Sequence, residues 1–99
     1  MEKLEFRLYI TGKTYRSEQA IDTLRHICDL IGENAEMKVI DILEEPETAE
    51  KDKILATPTL IKSSPPTTRR IIGDLSDIDK VIRGLDIDEY ITADEKGES

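Results

Sequence analysis

Cysteine and histidine occur once each in the 99 residues, as Cys28 and His26. A lone thiol closes no internal disulfide, and one imidazole with one thiol cannot furnish a zinc shell, so a redox framework and a structural metal both drop out. Glycine is scarce and scattered. The five residues form neither a Walker A loop nor a dinucleotide-binding fingerprint, and no cofactor is expected. No apolar run approaches the roughly 18 residues of a spanning helix. The start, Met1-Glu2-Lys3-Leu4, lacks the apolar stretch of a signal peptide, so the expected location is the cytoplasm. Positive charge is also short: 14 Lys and Arg against 22 Asp and Glu leave a formal net charge of -8, which repels phosphate backbones and anionic lipid. Nucleic acid and membrane are not expected partners.

What is present is pattern. Hydrophobic residues at 37% and charged residues at 36% make a lean chain, yet its apolar positions are too periodic for wholesale disorder. A chain of this length builds one modest core, expected over residues 1–92, with polar, aperiodic residues 93–99 as a disordered acidic tail. Leu4, Phe6, Leu8 and Ile10 alternate with Glu5, Arg7 and Tyr9, which predicts a strand over 4–10. Ile21, Leu24, Ile27, Cys28 and Ile31 recur at helical spacing from Ala20, with Ser17 as N-cap and Gly32 as stop. Met37, Val39, Ile40 and Ile42 fall on both faces of the next extended run, the pattern of a strand covered by helices on each side. Pro46 opens a short polar helix running to about Lys53. Two β-branched runs, Thr57 to Ile61 and Thr68 to Ile72, flank Ser63-Ser64-Pro65-Pro66 and read as a hairpin. Ser76 and Asp79 have the spacing of a capping box before a last helix on Ile78, Val81, Ile82 and Leu85, weakened by Gly84.

The resulting order, βαβαββα with a mixed four-stranded sheet, resembles a thioredoxin-like α/β domain. Ala56-Thr57-Pro58-Thr59-Leu60 stands where that fold places a cis-proline before its third strand. The resemblance stops short of the chemistry. Thiol exchange needs a C-x-x-C pair after the first strand, and Thr11-Gly12-Lys13-Thr14-Tyr15-Arg16 holds no cysteine. Cys28 lies on the apolar stripe of its helix and reads as core. His26 sits on the charged face with no catalytic partners at recognisable spacing, and the acids Glu44, Glu45, Glu47 and Glu50 read as a solvated face. A non-catalytic binding module is therefore expected, against the alternative of a thioredoxin-fold enzyme using other chemistry.

Three blocks carry a closer resemblance: Lys38-Val39-Ile40-Asp41, Asp52-Lys53-Ile54-Leu55-Ala56-Thr57-Pro58-Thr59-Leu60, and Arg69-Arg70-Ile71-Ile72-Gly73-Asp74-Leu75-Ser76. Together with Leu8-Tyr9-Ile10-Thr11-Gly12 and Gly84-Leu85-Asp86 they resemble the KaiB family over nearly the whole chain before the tail. The resemblance implies a clock or timing protein that binds the N-terminal ATPase ring of KaiC and regulates its phosphorylation and output, with KaiA or a sensor histidine kinase as further partners. A stress-response adaptor with a KaiC-like partner is the other version of this role. The resemblance also implies two packings: a ground state of order βαββααβ, possibly tetrameric, and a thioredoxin-like monomer that binds KaiC. Pro58, Pro65, Pro66, Gly84 and Asp86 are the residues assigned to that switch, and Glu36, Lys38, Lys53, Arg69 and Arg70 those assigned to partners. Glu36 departs from the family, which usually has a small residue there beside the KaiA contact. The β-branched second half, and the poor strand formers Asp86, Asp88 and Glu89, favour the thioredoxin-like form for this chain.

Overall fold

Strand β1, Leu4–Ile10, is the axis of the molecule, because its alternation gives it two different faces and a neighbour on each side. The computed structural model describes residues 3–63 and 68–91. Among these, the sheet has the order β2-β1-β3-β4, with β2 at Ala35–Asp41, β3 at Thr59–Ser63 and β4 at Arg69–Ile72. β2 runs parallel to β1, whereas β3 runs antiparallel to β1 and β4 antiparallel to β3, so the sheet is mixed and the expected hairpin forms. Helix α1 spans Tyr15–Ile31, α2 spans Pro46–Lys51, α3 spans Ile78–Leu85, and a 3-10 turn follows at Asp88–Tyr90.

The two faces of β1 bury different things. Leu4, Phe6, Leu8 and Ile10 meet Ala20, Leu24 and Ile27 of α1 and Val81, Ile82 and Leu85 of α3 in the main core, which Ile87 and Ile91 close. Each such side chain contributes about 1.5–3 kcal/mol relative to exposure. On the other face Tyr9 joins Ile40, Ile61 and Ala49 in a smaller cluster, completed by Ile42 and Ile54. Helix α2, six residues long, covers only this end of that face.

Several boundaries differ from the sequence reading. α1 starts five residues before Ala20 and is capped by Thr14, while Ser17 is the N3 partner in a reciprocal capping box. α2 ends at Lys51, because Lys53 is already left-handed at φ 56°. The cap of α3 is Asp77, whose carboxylate accepts from Lys80 N–H, and Ser76 instead donates its own N–H to Asp74. β2 is the edge strand of the sheet and its two faces are covered unevenly: Ala35 and Met37 pack against the main core and Ile40 lies in the smaller cluster, while Glu36, Lys38 and Val39 are exposed. Its apolar run has two sources, Ile40 and Ile42 in the cluster beside α2 and Met37 against the main core. Gly84 does not interrupt α3; a Cβ there would come within 2.9 Å of Ile71 Cδ1, so the missing side chain lets α3 lie close on β4. Pro65 and Pro66, and the tail 93–99, fall outside the described residues.

Candidate functional site

The carboxyl ends of β1, β2 and β4 and the amino end of β3 point the same way, so four connections meet at one end of the sheet. They are 11–14, 42–45, 52–58 and 73–77. Specific bonds tie them together. Asp41 Oδ1, at the end of β2, accepts from Gly12 N–H at 3.1 Å and Leu43 N–H at 3.0 Å. The hydroxyls of Thr11 and Thr57 lie 2.7 Å apart, and Gly73 N–H donates to Pro58 C=O at 3.0 Å. The Thr57-Pro58 peptide is cis, as expected, and Pro58 is buried.

This end is apolar where it should be wet. Leu55 is 94% exposed, Tyr15 79%, Leu43 68% and Ile72 56%. These are four of the five large hydrophobic residues exposed among those described, the fifth being Val39 on the β2 edge. Singly exposed apolar residues need no explanation, but four at or beside the connections of one sheet end are the kind of grouping that marks a protein contact. None of the four stood out in the sequence, because Tyr15 opens α1, Leu43 and Leu55 lie in two different connections, Ile72 ends β4, and only the topology brings these to one end.

Beside the patch, a polar cluster fixes the end of α2. Arg7 Nε donates to Asp52 Oδ2 at 3.1 Å, and the Tyr9 hydroxyl donates to the same oxygen. Burial alone would raise the Asp52 carboxyl, but the Tyr9 hydrogen bond and the Arg7 and Arg70 charges outweigh it and leave the group below its ordinary range. Burial, then the bond to Asp52, pushes the Tyr9 phenol up to about 12. Arg70 donates to Asp52 C=O at 2.9 Å and Lys53 C=O at 3.3 Å, holding the turn that follows α2. The phenol stays neutral and the carboxylate charged at physiological pH, so the cluster is a brace with no group poised to exchange a proton there.

The other reactive types are similarly committed. The Ser17 hydroxyl is 2.9 Å from Gly12 C=O and accepts from Thr14 N–H at 2.8 Å within the capping box. Cys28 is half-buried, packs against the main core, and has its thiol pushed up to about 11 by burial and then by Asp29. The loop facing Pro58 offers Thr11, Gly12, Lys13 and Thr14.

The residues assigned from the sequence do not form one site. Lys53 and Arg70 are joined, at the rim of the apolar end. Arg69, its neighbour in β4, points to the opposite face and pairs with Asp86 at 3.6 Å. Glu36 and Lys38 lie on the β2 edge, Glu36 paired with Lys3 at 2.8 Å. Gly84 and Asp86 lie at the end of α3, where Asp86 is left-handed at φ 59°.

Comparison with known proteins places this arrangement. The chain matches the model of the KaiB domain over residues 7–87. It is 50% identical over 88 residues to the circadian clock protein KaiB3 of Synechocystis sp., covering 88% of this chain and 86% of that protein. It is 54% identical over 83 residues to the circadian clock oscillator protein KaiB of Synechococcus sp., covering 82% of this chain and 74% of that one. Among solved structures, the N-terminal domain of Synechococcus elongatus SasA superimposes with a TM-score of 0.68 at 21% identity, covering 93% of this chain and 91% of that domain. The Drosophila thioredoxin Deadhead does so with a TM-score of 0.69 at 17% identity, over 83% and 77%. The structural likenesses show a thioredoxin-like fold, and the sequence matches show that this chain belongs to the KaiB family of circadian clock proteins.

Proposed function

We propose that this chain is a non-catalytic timing protein that binds the N-terminal ATPase ring of a KaiC-like partner in the thioredoxin-like state described above. Through that complex it regulates the partner's phosphorylation and output. The observation that carries the reading is the apolar end formed by Tyr15, Leu43, Leu55 and Ile72, exposed at and beside the connections of that end. Lys53 and Arg70 at its rim supply positive charge for an acidic stretch of the ring, and Arg69 adds to it from the other face. KaiA or a sensor histidine kinase is engaged after the ring complex forms, in the cytoplasm. The second packing of the family belongs to the same proposal, with Pro58, Pro65, Pro66, Gly84 and Asp86 where the chain would rearrange. Residues 1–92 are proposed to act as one domain.

Only the thioredoxin-like form is taken to be competent, so its population sets the apparent affinity. A chain populating it at about 1% would lose roughly 2.7 kcal/mol. The test is rapid-mixing binding of the full chain to the isolated N-terminal ring, with backbone NMR of the free protein. Saturable binding with a rate linear in ring concentration, and a free state with β4 at Arg69–Ile72, is the expected result. A helix over 67–72 and a strand over 85–92 in the free chain, or a rate that saturates at a slow step, overturns the claim that this chain rests in its binding form.

A further inference from the structure

We propose that the β2 edge is a self-complementary interface through which two copies of this chain join antiparallel, β2 to β2, about a two-fold axis at Met37. The argument starts from which backbone groups are unspent. Leu4 N–H donates to Asn34 C=O and Ile42 N–H donates to Ile10 C=O, so the even-numbered residues of β2 spend their groups on β1. The odd ones turn theirs outward from the sheet; Ala35 N–H is taken by Gly32 C=O and Asp41 C=O by Glu44 and Glu45 N–H, while Met37 and Val39 face outward with both groups and Ala35 with its C=O. A symmetric antiparallel partner must therefore be centred on an odd residue, since any other register sets outward groups against inward ones.

Charge then chooses among the centres. About Met37, Glu36 of one copy faces Lys38 of the other, twice, and Ala35 faces Val39 on the opposite face. Centring on Val39 sets Lys38 against Ile40, and centring on Ala35 sets Glu36 against Asn34. Only Met37 pairs opposite charges. The side chains agree: Met37 and Ala35 are half-buried and Val39 is 36% exposed, a short apolar strip that the pairing would cover.

The protomer carries a second sign of the same register. Within it, β1 and β2 pair like with like, Glu5 opposite Glu36 and Arg7 opposite Lys38. Such pairs are unfavourable in a sheet. Within the protomer Lys3 pairs with Glu36 at 2.8 Å and Asp52 with Arg7 at 3.1 Å; across the two-fold Glu36 gains Lys38 of the other copy as a second partner. An edge guarded by charges of one sign would repel its copy; this edge carries one of each at the spacing that its own copy matches. Four backbone bonds and two charge pairs describe a weak dimer, distinct from the ring contact at the sheet's apolar end and from the monomer that the family resemblance implies.

Sedimentation of the full chain from micromolar to millimolar concentration tests it. The expected result is a monomer–dimer equilibrium that weakens with added salt. E36K and K38E should each raise the dimer dissociation constant on the order of tenfold or more, since two attractive pairs become repulsive. The double variant E36K/K38E should restore it, and an equimolar mixture of the two single variants should associate more tightly than either alone. Val39→Pro removes an outward N–H that the protomer's sheet does not use, so it should abolish the dimer while circular dichroism stays native. A chain that stays monomeric throughout leaves the edge to a strand of another protein and overturns the proposal. A dimer indifferent to both single variants overturns it equally.

Discussion

Tyr9 is fully buried with a hydroxyl to satisfy, and the acceptor comes from Asp52, far along the chain at the end of α2. The energetics of that pair are asymmetric. Tyr9→Phe removes donor and leaves a carboxylate still paired with Arg7, which should cost about 0.5–1.5 kcal/mol. Asp52→Ala strands a buried phenol and a half-buried guanidinium and should cost about 1–3 kcal/mol. The same pair sets two limbs of the pH dependence. The Asp52 carboxyl lies below its ordinary value, so its contribution is present above about pH 4 and is lost as pH falls through the folded value. The Tyr9 phenol is raised from 10.0 to about 12, so its contribution is complete below the unfolded value and is lost as pH rises between them. Urea unfolding across pH should show both limbs, Asp52→Asn flattening the acid one and Tyr9→Phe the alkaline one. An alkaline limb that survives in Tyr9→Phe would assign it to another group.

Helix ends, more than helix interiors, decide how this chain is shaped. α2 leaves through a Schellman motif, with Ile54 N–H donating to Ala49 C=O at 2.9 Å and Lys53 N–H to Glu50 C=O at 3.0 Å. α3 repeats it with Ile87 to Ile82 and Asp86 to Arg83. The left-handed position of that motif is usually glycine, yet here it is Lys53 and Asp86. Lysine has no local hydrogen bond to ease the conformation, so Lys53→Gly should stabilise the fold by about 1 kcal/mol. In thermal unfolding that is a rise in Tm of roughly 4–8 °C, and a fall would mean that the lysine stem, not backbone strain, dominates there. Asp86→Gly should gain less, because aspartate tolerates the conformation better. These ends were the least legible part of the sequence. The period-two run of β1 and the 3.6-residue stripes of α1 and α3 declared their elements, since burial on one face is written into spacing. The caps did not: Thr14, Ser17, Ser76 and Asp77 are all competent N-caps, and which one serves is decided by where the preceding strand delivers the chain. The two-faced apolar run of β2 was legible, but the exposure of Val39 was not, because a run of apolar residues does not say how far the helix on each face reaches.

The two contact surfaces proposed for the molecule lie apart, and their separation makes the ring contact testable by itself. Order of elements and the cis-proline position were readable along the chain, but the apolar end was not, since Leu43 and Leu55 are single leucines in polar loops and become a patch only when β1, β2 and β3 bring their ends together. That history predicts their energetics. Leu43 and Leu55 are 68% and 94% exposed, so replacing either with serine removes almost no burial and should change stability by no more than about 0.5 kcal/mol. Ring binding should behave differently. If the patch is the contact, each leucine moves from water into the interface, and losing one buried leucine is worth about 1.5–3 kcal/mol, at least tenfold in the dissociation constant. Leu43→Ser and Leu55→Ser should therefore weaken binding to the isolated N-terminal ring by that factor while leaving the β2-edge dimer and the urea midpoint unchanged. E36K should do the reverse, shifting the dimer and sparing the ring. Calorimetry adds an independent readout, because apolar burial on binding carries a negative heat-capacity change that each serine variant should reduce. Ring affinity indifferent to both serine variants, in protein that unfolds like the parent, would remove the apolar end from the contact and leave Lys53, Arg69 and Arg70 to account for it.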